Sequence, residues 1–342
     1  MQQTIFVVDD SDVILQNAEE GLGPYYNVLT MPNGMSMFSM LKNIRPSLIL
    51  LDIAMPEING FQTLEVLKKH PKYSNIPVMF LTGMTDEETK AKCFKLGAVD
   101  FITKPFSIPI LVNRIKLHIN MARRIEERTA ALEHAHRGLI AILADVVESR
   151  DKSTGGHISR TTKYLGLLFR GMLDKNVYAS ELREWNLADA TICATLHDVG
   201  KIIIPDSILN KPGKLTNEEF NHMKTHVEKS VEIINQVIRR TGEDKFLYQA
   251  RIFAGYHHEN WDGSGYPYGL KGRDIPLAGR VMALVDVYDA LVSKRPYKKA
   301  FSHEEAVNLI KSDSGKKFDP DIVDVFVSLS GEFAGLHTRL GG

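Results

Sequence analysis

The sequence predicts a multidomain protein in which one long helix joins an N-terminal α/β domain to an all-α domain. Residues 4–102 alternate short apolar runs with amphipathic stretches, and residues 108–150 keep an uninterrupted helical pattern. After residue 150 no strand-like alternation persists. At 342 residues the chain is long enough for two domains with separate cores.

The first domain, residues 1–122, is predicted to contain five strands: Thr4–Val8, Tyr26–Leu29, Leu48–Leu51, Val78–Leu81 and Val99–Ile102. Helical patterns lie between them near residues 12–21, 34–44, 60–70 and 86–96. Apolar strands separated by helices are typical of a parallel sheet that is covered on both faces. We therefore expect a flavodoxin-like, doubly wound fold, in which ligands bind at the carboxyl ends of the strands.

Residues 108–150 are predicted to form a linker helix. Side chains that are apolar at all but three positions recur at spacings of four and three at Leu111, Ile115, His118, Ala122, Ile125, Thr129, Leu132, His136, Leu139, Leu143 and Val146. This heptad pattern favours a coiled coil with a second copy of the chain, and hence a homodimer. The alternative is a single helix that packs on its own two domains.

The second domain, residues 136–342, is predicted to be all-α. Amphipathic helices are expected near residues 157–173, 180–198, 216–238, 244–258, 277–293, 303–312 and 320–330. A capping box, Thr216-x-x-Glu219, opens the third of them. The tail from Gly331 predicts no further element.

Composition excludes several classes of function. Lys plus Arg equals Asp plus Glu, at 42 each, so no global basic charge attracts nucleic acid or membrane. No helix-turn-helix or basic recognition helix follows the first domain. Two distant cysteines, Cys93 and Cys193, fit free thiols in a reducing compartment. The start lacks a signal peptide and every apolar run is short, so we expect a soluble cytoplasmic protein.

Polar residues end the strands of the first domain. Asp9 and Asp10 follow the first strand, and Asp52 follows the third. Three converging carboxylates need a hard cation to remain ionised, and oxygen ligands favour Mg²⁺. Thr82 ends the fourth strand and Lys104 follows the fifth. A hydroxyl and an ammonium at that edge can neutralise a transferred phosphoryl group.

These residues resemble the response-regulator receiver family over roughly residues 3–122. Asp52 and Thr82 are 30 residues apart, and Thr82 and Lys104 are 22 apart, as is typical of that family. The resemblance implies that Asp52 is the phosphoacceptor and that a histidine kinase is the partner. It also implies that Asp9, Asp10 and the carbonyl of Ala54 hold Mg²⁺. Thr82 and Lys104 would contact the phosphoryl oxygens, and Phe101 would be the aromatic switch residue.

Seven metal-type side chains stand out in the second domain: His157, His197, Asp198, His226, His257, His258 and Asp286. Five imidazoles and two carboxylates, without a thiolate, suit Mn, Fe, Ni, Co or Zn. The set is too large for one open catalytic ion and is about right for two ions that share a bridging carboxylate.

The surrounding strings resemble the HD-GYP phosphodiesterase family over roughly residues 136–330. The matching strings are TGGH at 154–157, HDVGK at 197–201, HHENWDGSGYP at 257–267, DVYDALVSKRPY at 286–297 and FDP at 318–320. Met223-x-x-His226 also matches. Strings of this length and rarity are specific evidence of a domain type.

The resemblance implies two transition-metal ions, Fe or Mn in the first place and Zn, Ni or Co as alternatives. One ion would be held by His157, His197, Asp198 and Asp286, and the other by His226, His257 and His258, with Asp198 bridging. Asp198 and Lys201 would be catalytic. Arg295 and Lys298 would bind substrate phosphate, and Gly265, Tyr266 and Pro267 would border the substrate cleft.

Two positions qualify the ligand set. Some family members carry a glutamate four residues before the first ligand histidine and bind a third metal; this chain has Ser153 there, so two metals are predicted. His222 lies four residues before His226 and therefore on the same helix face. We interpret His222 as a near-surface residue that is not a ligand.

The function implied is hydrolysis of cyclic di-GMP to the linear dinucleotide, with GMP as a further product, under the control of Asp52 phosphorylation. A diguanylate cyclase is a candidate partner. One alternative is a phosphorylation-gated module that binds a cyclic dinucleotide, or docks a partner, without hydrolysis. The other alternative is a phosphodiesterase for another cyclic dinucleotide, because no residue of the sequence reveals how the bases are recognised.

Overall fold

The computed structural model describes residues 2–83, 87–151, 156–294 and 299–340. The chain divides into two compact units, Met1–Glu133 and His134–Gly342. The division falls inside the long helix, between the predicted end of the first domain at 122 and the predicted start of the second at 136. No helix among the described residues is long and apolar enough to cross a membrane.

The N-terminal unit is built on a parallel sheet. Its strands are β1 (Thr4–Val8), β2 (Asn27–Met31), β3 (Leu48–Asp52), β4 (Val78–Thr82) and β5 (Asp100–Thr103). They are arranged in the order β2-β1-β3-β4-β5, and every neighbouring pair is parallel. The predicted doubly wound fold is therefore confirmed. Because all the strands run in one direction, Asp9, Asp52 and Thr82 end at the same edge of the sheet.

Helices cover both faces of this sheet. They are α1 (Asp12–Leu22), α2 (Gly34–Leu41), α3 (Gly60–Lys69), α4 (Glu87–Lys95) and α5 (Ile108–Arg150). Successive strand residues point to opposite faces. Phe6 and Ile49 accordingly belong to one apolar cluster, whereas Ile5 and Leu48 belong to another. The sheet thus separates two small cores.

The first turns of α5 pack within the N-terminal unit. Leu111, Ile115 and Ile119 are buried in one of its apolar clusters. The predicted heptad seam is therefore wrong at Leu111 and Ile115, because those side chains are used by the domain's own core. Further along, Ile125 and Leu132 are 66% and 71% exposed.

The regular secondary structure described in the C-terminal unit is helical, apart from an isolated bridge between Ser314 and Phe318. The prediction of an all-α domain is confirmed. After α5 its helices are α6 (His157–Asp174), α7 (Ala179–Arg183), α8 (Leu187–Cys193), α9 (Asp206–Leu209), α10 (Asn217–Lys224), α11 (His226–Thr241), α12 (Lys245–Tyr256), α13 (Leu277–Val292), α14 (His303–Ser312), α15 (Pro320–Ser328) and α16 (Ser330–Arg339). Short 3₁₀ helices cover Ala194–Leu196, Val199–Ile203 and Gly272–Asp274.

Two predicted helices are divided in the structure. The segment predicted at 180–198 is interrupted at Asn186, whose side chain accepts hydrogen bonds from the first amides of α8. The segment predicted at 216–238 breaks at Thr225, between α10 and α11. The second interruption places His226 at the first position of α11, whereas His197 follows the end of α8 and a 3₁₀ helix.

The last helix, α16, covers most of the tail from Gly331, for which the sequence predicted no further element. Phe333 anchors it: this side chain is fully buried, and its ring lies 4.8 Å from Phe326 and 5.5 Å from Tyr164, measured between ring centroids. A single aromatic residue in a short segment gives little periodic signal. Its burial depends on partners that are distant in the sequence.

A buried ion pair ties α13 to the start of α15. Arg280 Nη1 donates to Asp319 Oδ2 at 2.5 Å, and the Tyr178 hydroxyl donates to the same oxygen at 2.9 Å. Asp319 Oδ1 also accepts from the amide of Asp321 and so caps α15. Asp319 is 1% exposed, so its charge depends on these partners.

Replacing Asp319 by alanine should lower the stability of the C-terminal unit by about 3–5 kcal/mol, because Arg280 would lose its buried counterion. The two tryptophans, Trp185 and Trp261, both lie in this unit, so tryptophan fluorescence during urea unfolding follows it selectively. Asp321→Ala is the matched control: Asp321 also accepts from Tyr178, but its side chain is 52% exposed. Equal midpoints for the two variants would contradict the assigned role of Asp319.

Candidate functional site

Three carboxylates meet at the carboxyl edge of the N-terminal sheet. One oxygen atom from each of Asp9, Asp10 and Asp52 lies within 4.8 Å of the others. Asp9 and Asp52 are buried, whereas Asp10 is exposed. Carboxylate oxygens in such a cluster suit a hard divalent cation. The chemistry of this donor set therefore fits Mg²⁺.

Lys104 neutralises part of that charge. Its Nζ atom donates to Asp9 Oδ2 and to Asp52 Oδ1, both at 2.5 Å. Burial lowers the pKa of Lys104, but its hydrogen bonds to Asp52 and Asp9 outweigh this effect and raise the pKa. Burial raises the pKa of Asp52, while Lys104 opposes the shift. Lys104 therefore holds an ammonium group beside the buried carboxylate of Asp52.

Thr82 and Phe101 lie where the sequence predicted. Thr82 is the last residue of β4 and is buried. Phe101 lies on β5 and is half-buried, and its ring meets Phe94 edge-on at 5.8 Å between centroids. The amide of Ala54 donates to Asp52 Oδ2 at 2.8 Å, which fixes the direction of that carboxylate.

In the C-terminal unit, most of the metal-type side chains stand at the ends of helices, whereas Asp286 lies within α13. His157 and His226 are the first residues of α6 and α11, and His257 follows the last residue of α12. His197 and Asp198 lie between two 3₁₀ helices. Helix ends can bring side chains from many parts of the chain to one point, whereas a single helix face offers few.

A glycine allows two of these segments to meet. A Cβ atom on Gly200 would lie 2.1 Å from the carbonyl oxygen of His226 and 2.5 Å from the amide nitrogen of Ser230. The Gly200 amide donates to Ser230 Oγ at 2.8 Å. Only glycine permits the backbone after Asp198 to pack this closely on the first turn of α11.

Three histidines are held in the same way. The Nδ1 atoms of His197, His226 and His257 each lie 2.7–3.0 Å from the backbone carbonyl three residues earlier. A carbonyl only accepts hydrogen bonds, so Nδ1 carries the proton and Nε2 of the neutral ring keeps its lone pair. Histidines that bind metals commonly donate the proton of the other ring nitrogen to a carbonyl or carboxylate in this way.

The resulting lone pairs converge on Asp198. Asp198 Oδ1 lies 3.1 Å from His226 Nε2 and 3.7 Å from His257 Nε2, and Asp198 Oδ2 lies 3.3 Å from His197 Nε2. Asp198 Oδ1 and all three Nε2 atoms are buried without a hydrogen-bond partner. Buried polar atoms rarely lack a partner. A cation is the ligand that this donor set fits.

Asp198 belongs to two groups of candidate ligands. His157 and His197 form one group with it, and His226, His257 and His258 form the other; in each group the ligand atoms lie within 4.8 Å of one another. Asp286, on α13, lies next to the first group, with Oδ1 3.5 Å from His157 Nε2. The geometry fits two cations with Asp198 between them.

Asp289 orients His157. Its Oδ2 lies 2.8 Å from His157 Nδ1, and Arg160 donates to both carboxylate oxygens. Burial raises the pKa of Asp289, but the bonds to His157 and Arg160 outweigh burial and lower it. An ionised Asp289 holds the proton on Nδ1, so Nε2 faces Asp286.

Lys201 stands against the shared carboxylate. Its Nζ lies 2.7 Å from Asp198 Oδ2 and 3.2 Å from Asp151 Oδ2. Burial lowers the pKa of Lys201, but Asp198 and Asp151 outweigh burial and raise it. Burial raises the pKa of Asp198, but the charges of Lys201 and His197 outweigh burial and lower this pKa well below its usual value. Lys201 therefore carries its charge at the edge of the site.

The predicted cleft loop lies on His258. The ring of Tyr266 stacks on the His258 ring at 4.7 Å between centroids, and the Tyr266 amide donates to the His258 carbonyl. A Cβ on Gly265 would approach the amide nitrogen of Asn260 to 2.3 Å, so the loop needs glycine there. Burial, followed by the nearby His257 and His226, lowers the pKa of His258 well below its usual value, which keeps the ring neutral.

Arg295 and Lys298 are outside the described residues, and so is Ser153. His222 is exposed on α10 and belongs to neither ligand group found among the described residues. Pro267 follows Tyr266 in the cleft loop.

The sequence analysis missed four residues that support the site: Glu148, Asp151, Glu259 and Asp289. Asp289 stands three residues after Asp286, on the same side of a helix, which was a usable signal. Glu259 is buried and accepts from the amides of Tyr268 and Leu270, so it anchors the cleft loop instead of joining the ligands. Neither Glu148 nor Asp151 stands in a pattern that indicates its partner.

Two protein families match the chain, one in its N-terminal part and the other over most of the rest. Residues 5–116 match the response regulator receiver domain, and residues 108–322 match the HD domain. The second match alone covers more than half of the chain.

Three relatives illustrate the likeness. A Vibrio cholerae protein named "Probable cyclic di-GMP phosphodiesterase" is 38% identical, over 95% of this chain and 77% of that protein. The Xanthomonas campestris cyclic di-GMP phosphodiesterase response regulator RpfG is 31% identical, over 98% of this chain and 92% of that protein. The Vibrio cholerae 3'3'-cGAMP-specific phosphodiesterase 2 is 38% identical, over 61% of this chain and 38% of that protein. With a receiver match, an HD match and relatives that align along nearly its whole length, the chain belongs to the response regulators that join a receiver domain to an HD domain.

Proposed function

We propose that this response regulator hydrolyses cyclic di-GMP at a two-metal site and that phosphorylation of Asp52 controls the reaction. The observation that carries the proposal is the convergence of three histidine Nε2 lone pairs on Asp198, all buried without a hydrogen-bond partner. The likeness to two relatives named for cyclic di-GMP hydrolysis supports the choice of substrate.

The proposed ligands of the first ion are His157, His197, Asp198 and Asp286, and those of the second are His226, His257, His258 and Asp198. Fe or Mn is the proposed metal, with Zn, Ni or Co as alternatives, because imidazole and carboxylate donors suit these ions. When bound, such ions lower the pKa of water and neutralise charge on phosphoryl oxygens.

The chain's own residues supply orientation and further charge. Lys201 holds Asp198 in place and keeps an ammonium at the edge of the site, where negative charge grows on a phosphoryl oxygen during attack. Arg295 and Lys298 are proposed to bind substrate phosphate through their donor groups. Tyr266, stacked on His258, forms one side of the proposed cleft together with Gly265 and Pro267. The first product is the linear dinucleotide, and slower cleavage gives GMP.

The N-terminal pocket supplies the proposed control. Mg²⁺ is held by Asp9, Asp10 and the carbonyl of Ala54, and a histidine kinase donates the phosphoryl group to Asp52. Lys104, already 2.5 Å from Asp52, neutralises one oxygen of the product. Thr82 is proposed to donate its hydroxyl to another oxygen, and Phe101 to respond to that movement.

The long helix is the proposed dimer contact. Ile125, Leu132, Leu139, Leu143 and Val146 recur at heptad spacing and are between 53% and 71% exposed in the single chain. Burying such a row against a second copy removes apolar surface from water. A diguanylate cyclase is a further proposed partner.

A second candidate substrate is a mixed cyclic GMP–AMP dinucleotide. The likeness to the Vibrio cholerae 3'3'-cGAMP-specific phosphodiesterase 2 favours it, since that protein is 38% identical over 61% of this chain. Product analysis with both dinucleotides separates the two candidates. Metal binding without cleavage of either would indicate instead a sensor that does not hydrolyse its ligand.

Replacing Asp198 by alanine should abolish both metal loading and hydrolysis, because one carboxylate serves both ligand groups. Metal content by elemental analysis after anaerobic purification, together with turnover of cyclic di-GMP, measures the two effects. His222→Ala is the control, since His222 is a neighbouring histidine on the exposed surface. An Asp198→Ala protein that keeps two metals and its turnover would rule out the bridging role.

Replacing Asp52 by asparagine should remove regulation and leave the metal centre loaded. Beryllofluoride, which mimics the phosphoryl group, should change the turnover and the oligomeric state of the wild-type protein and have no effect on Asp52→Asn. Light scattering and product formation measure both. Identical behaviour of the two proteins with the mimic would mean that the receiver does not control the enzyme.

Replacing Leu132 by aspartate should shift the protein toward monomer, because a charge cannot be buried in the proposed helix pair without a partner. Leu132 is 71% exposed in the single chain, so the fold of either unit should be unaffected. Sedimentation velocity over a range of concentrations measures the change, with Glu133→Gln as control. A dimer of unchanged strength would exclude this face of the helix.

A further inference from the structure

The C-terminal end of the long helix α5 forms a wall of the metal site. A small cavity of about 20 Å³ beside the candidate ligands is lined by residues of α5 and of the segment that follows it. These are Ala144, Val147, Glu148 and Asp151, which face His157, His197, Asp198 and Lys201 across the cavity. The helix thus reaches the chemistry directly, within the C-terminal unit itself.

Glu148 makes the closest of these contacts. Its Oε1 accepts from the backbone amide of His157 at 2.7 Å, and its Oε2 lies 3.3 Å from the amide of Ile158. These are the first two residues of α6. The first amides of a helix have no partner inside it, and a carboxylate there is favoured by the helix dipole.

Among the described residues, the N-cap residue of α6 itself does not perform this task. The residue at the N-cap is Gly156, which has no side chain to accept a hydrogen bond and adopts a positive φ of 75°. Helices are usually capped by a Ser, Thr, Asp or Asn at that position. Here Glu148, which lies on α5 nine residues before His157, supplies the cap.

Two carboxylates therefore hold His157, one at its ring and the other at its backbone. Asp289 fixes its ring through Nδ1 at 2.8 Å, and Glu148 fixes its backbone through the amide at 2.7 Å. His157 is the first residue of its helix and follows a glycine, so its Cα position depends on the cap. Ring direction alone does not place Nε2, because a shift of the backbone carries the whole imidazole with it.

We propose that Glu148 is a positioning residue for the metal site, which places His157 through its backbone and so sets the affinity of the ion that His157 binds. The inference rests on the proposed ligand role of His157. Among the described residues, Glu148 makes no hydrogen bond or ion pair with Asp198 or with the histidines of the other group, His226, His257 and His258. The effect is thus confined to one of the two ions.

The experiment is a Mn²⁺ titration of the full-length, metal-free protein. Loss of residues that orient a ligand typically weakens metal binding 10- to 100-fold. Glu148→Ala should therefore raise the dissociation constant of one Mn²⁺ by about 10-fold or more and leave the other ion within about twofold of wild type. Hydrogen exchange of the metal-free protein should be faster at the first turn of α6, because the cap is lost.

Two further variants make the result specific. Glu148→Gln keeps one carbonyl oxygen for the His157 amide and loses the charge, so its weaker Mn²⁺ site should fall between wild type and Glu148→Ala. Asp145→Ala is the matched control on the same helix, because Asp145 is exposed. This variant should bind both ions as the wild type does.

The outcomes separate this inference from the proposed function. Unchanged Mn²⁺ binding in Glu148→Ala, or equal weakening of both ions, overturns the positioning role. If Glu148→Ala does not fold, Glu148→Gln decides alone: wild-type affinity at both sites overturns the inference, and selective weakening of one site supports it. A wild-type protein that binds two Mn²⁺ ions without cleaving cyclic di-GMP contradicts only the proposed function, and one that binds none contradicts both.

Discussion

The metal site depends on hydrogen bonds that set which histidine nitrogen is protonated. Backbone carbonyls hold the Nδ1 protons of His197, His226 and His257, and the Asp289 carboxylate holds that of His157. Every Nε2 lone pair is thereby directed inward, and this is costly in a buried space unless a cation occupies it. Helix ends supply three of these carbonyls at little cost, because their last carbonyl groups lack partners within the helix.

The long helix α5 contributes to both compact units in different ways. Near its start, Leu111 and Ile115 complete a core beside the sheet, and near its end Ala144, Val147 and Glu148 lie against the metal site. The exposed row between these two parts is where apolar residues recur without partners in the chain. One element thus carries a core contact, a proposed dimer contact and a proposed ligand-positioning contact.

The two sites solve the same electrostatic problem with different means. Both collect carboxylates in a half-buried place and both set a lysine against them, Lys104 in one and Lys201 in the other. In the receiver pocket the remaining donors are oxygens, which suit a hard ion and a phosphoryl group. In the HD domain imidazoles dominate, and these suit a transition metal. The choice of donor therefore separates a signalling site from a hydrolytic one within one chain.

From the residues alone, the order of the domains, the parallel doubly wound sheet and the six candidate ligands that accompany Asp198 could be predicted. Those features follow from local periodicity and from rare strings such as HHENWDGSGYP, which are written in consecutive residues. The folded structure was needed to show that Thr225 interrupts a predicted helix, that Leu111 and Ile115 are used by a core, and that Glu148 caps α6. Each of these outcomes depends on partners that are distant along the chain, and periodicity carries no information about such partners.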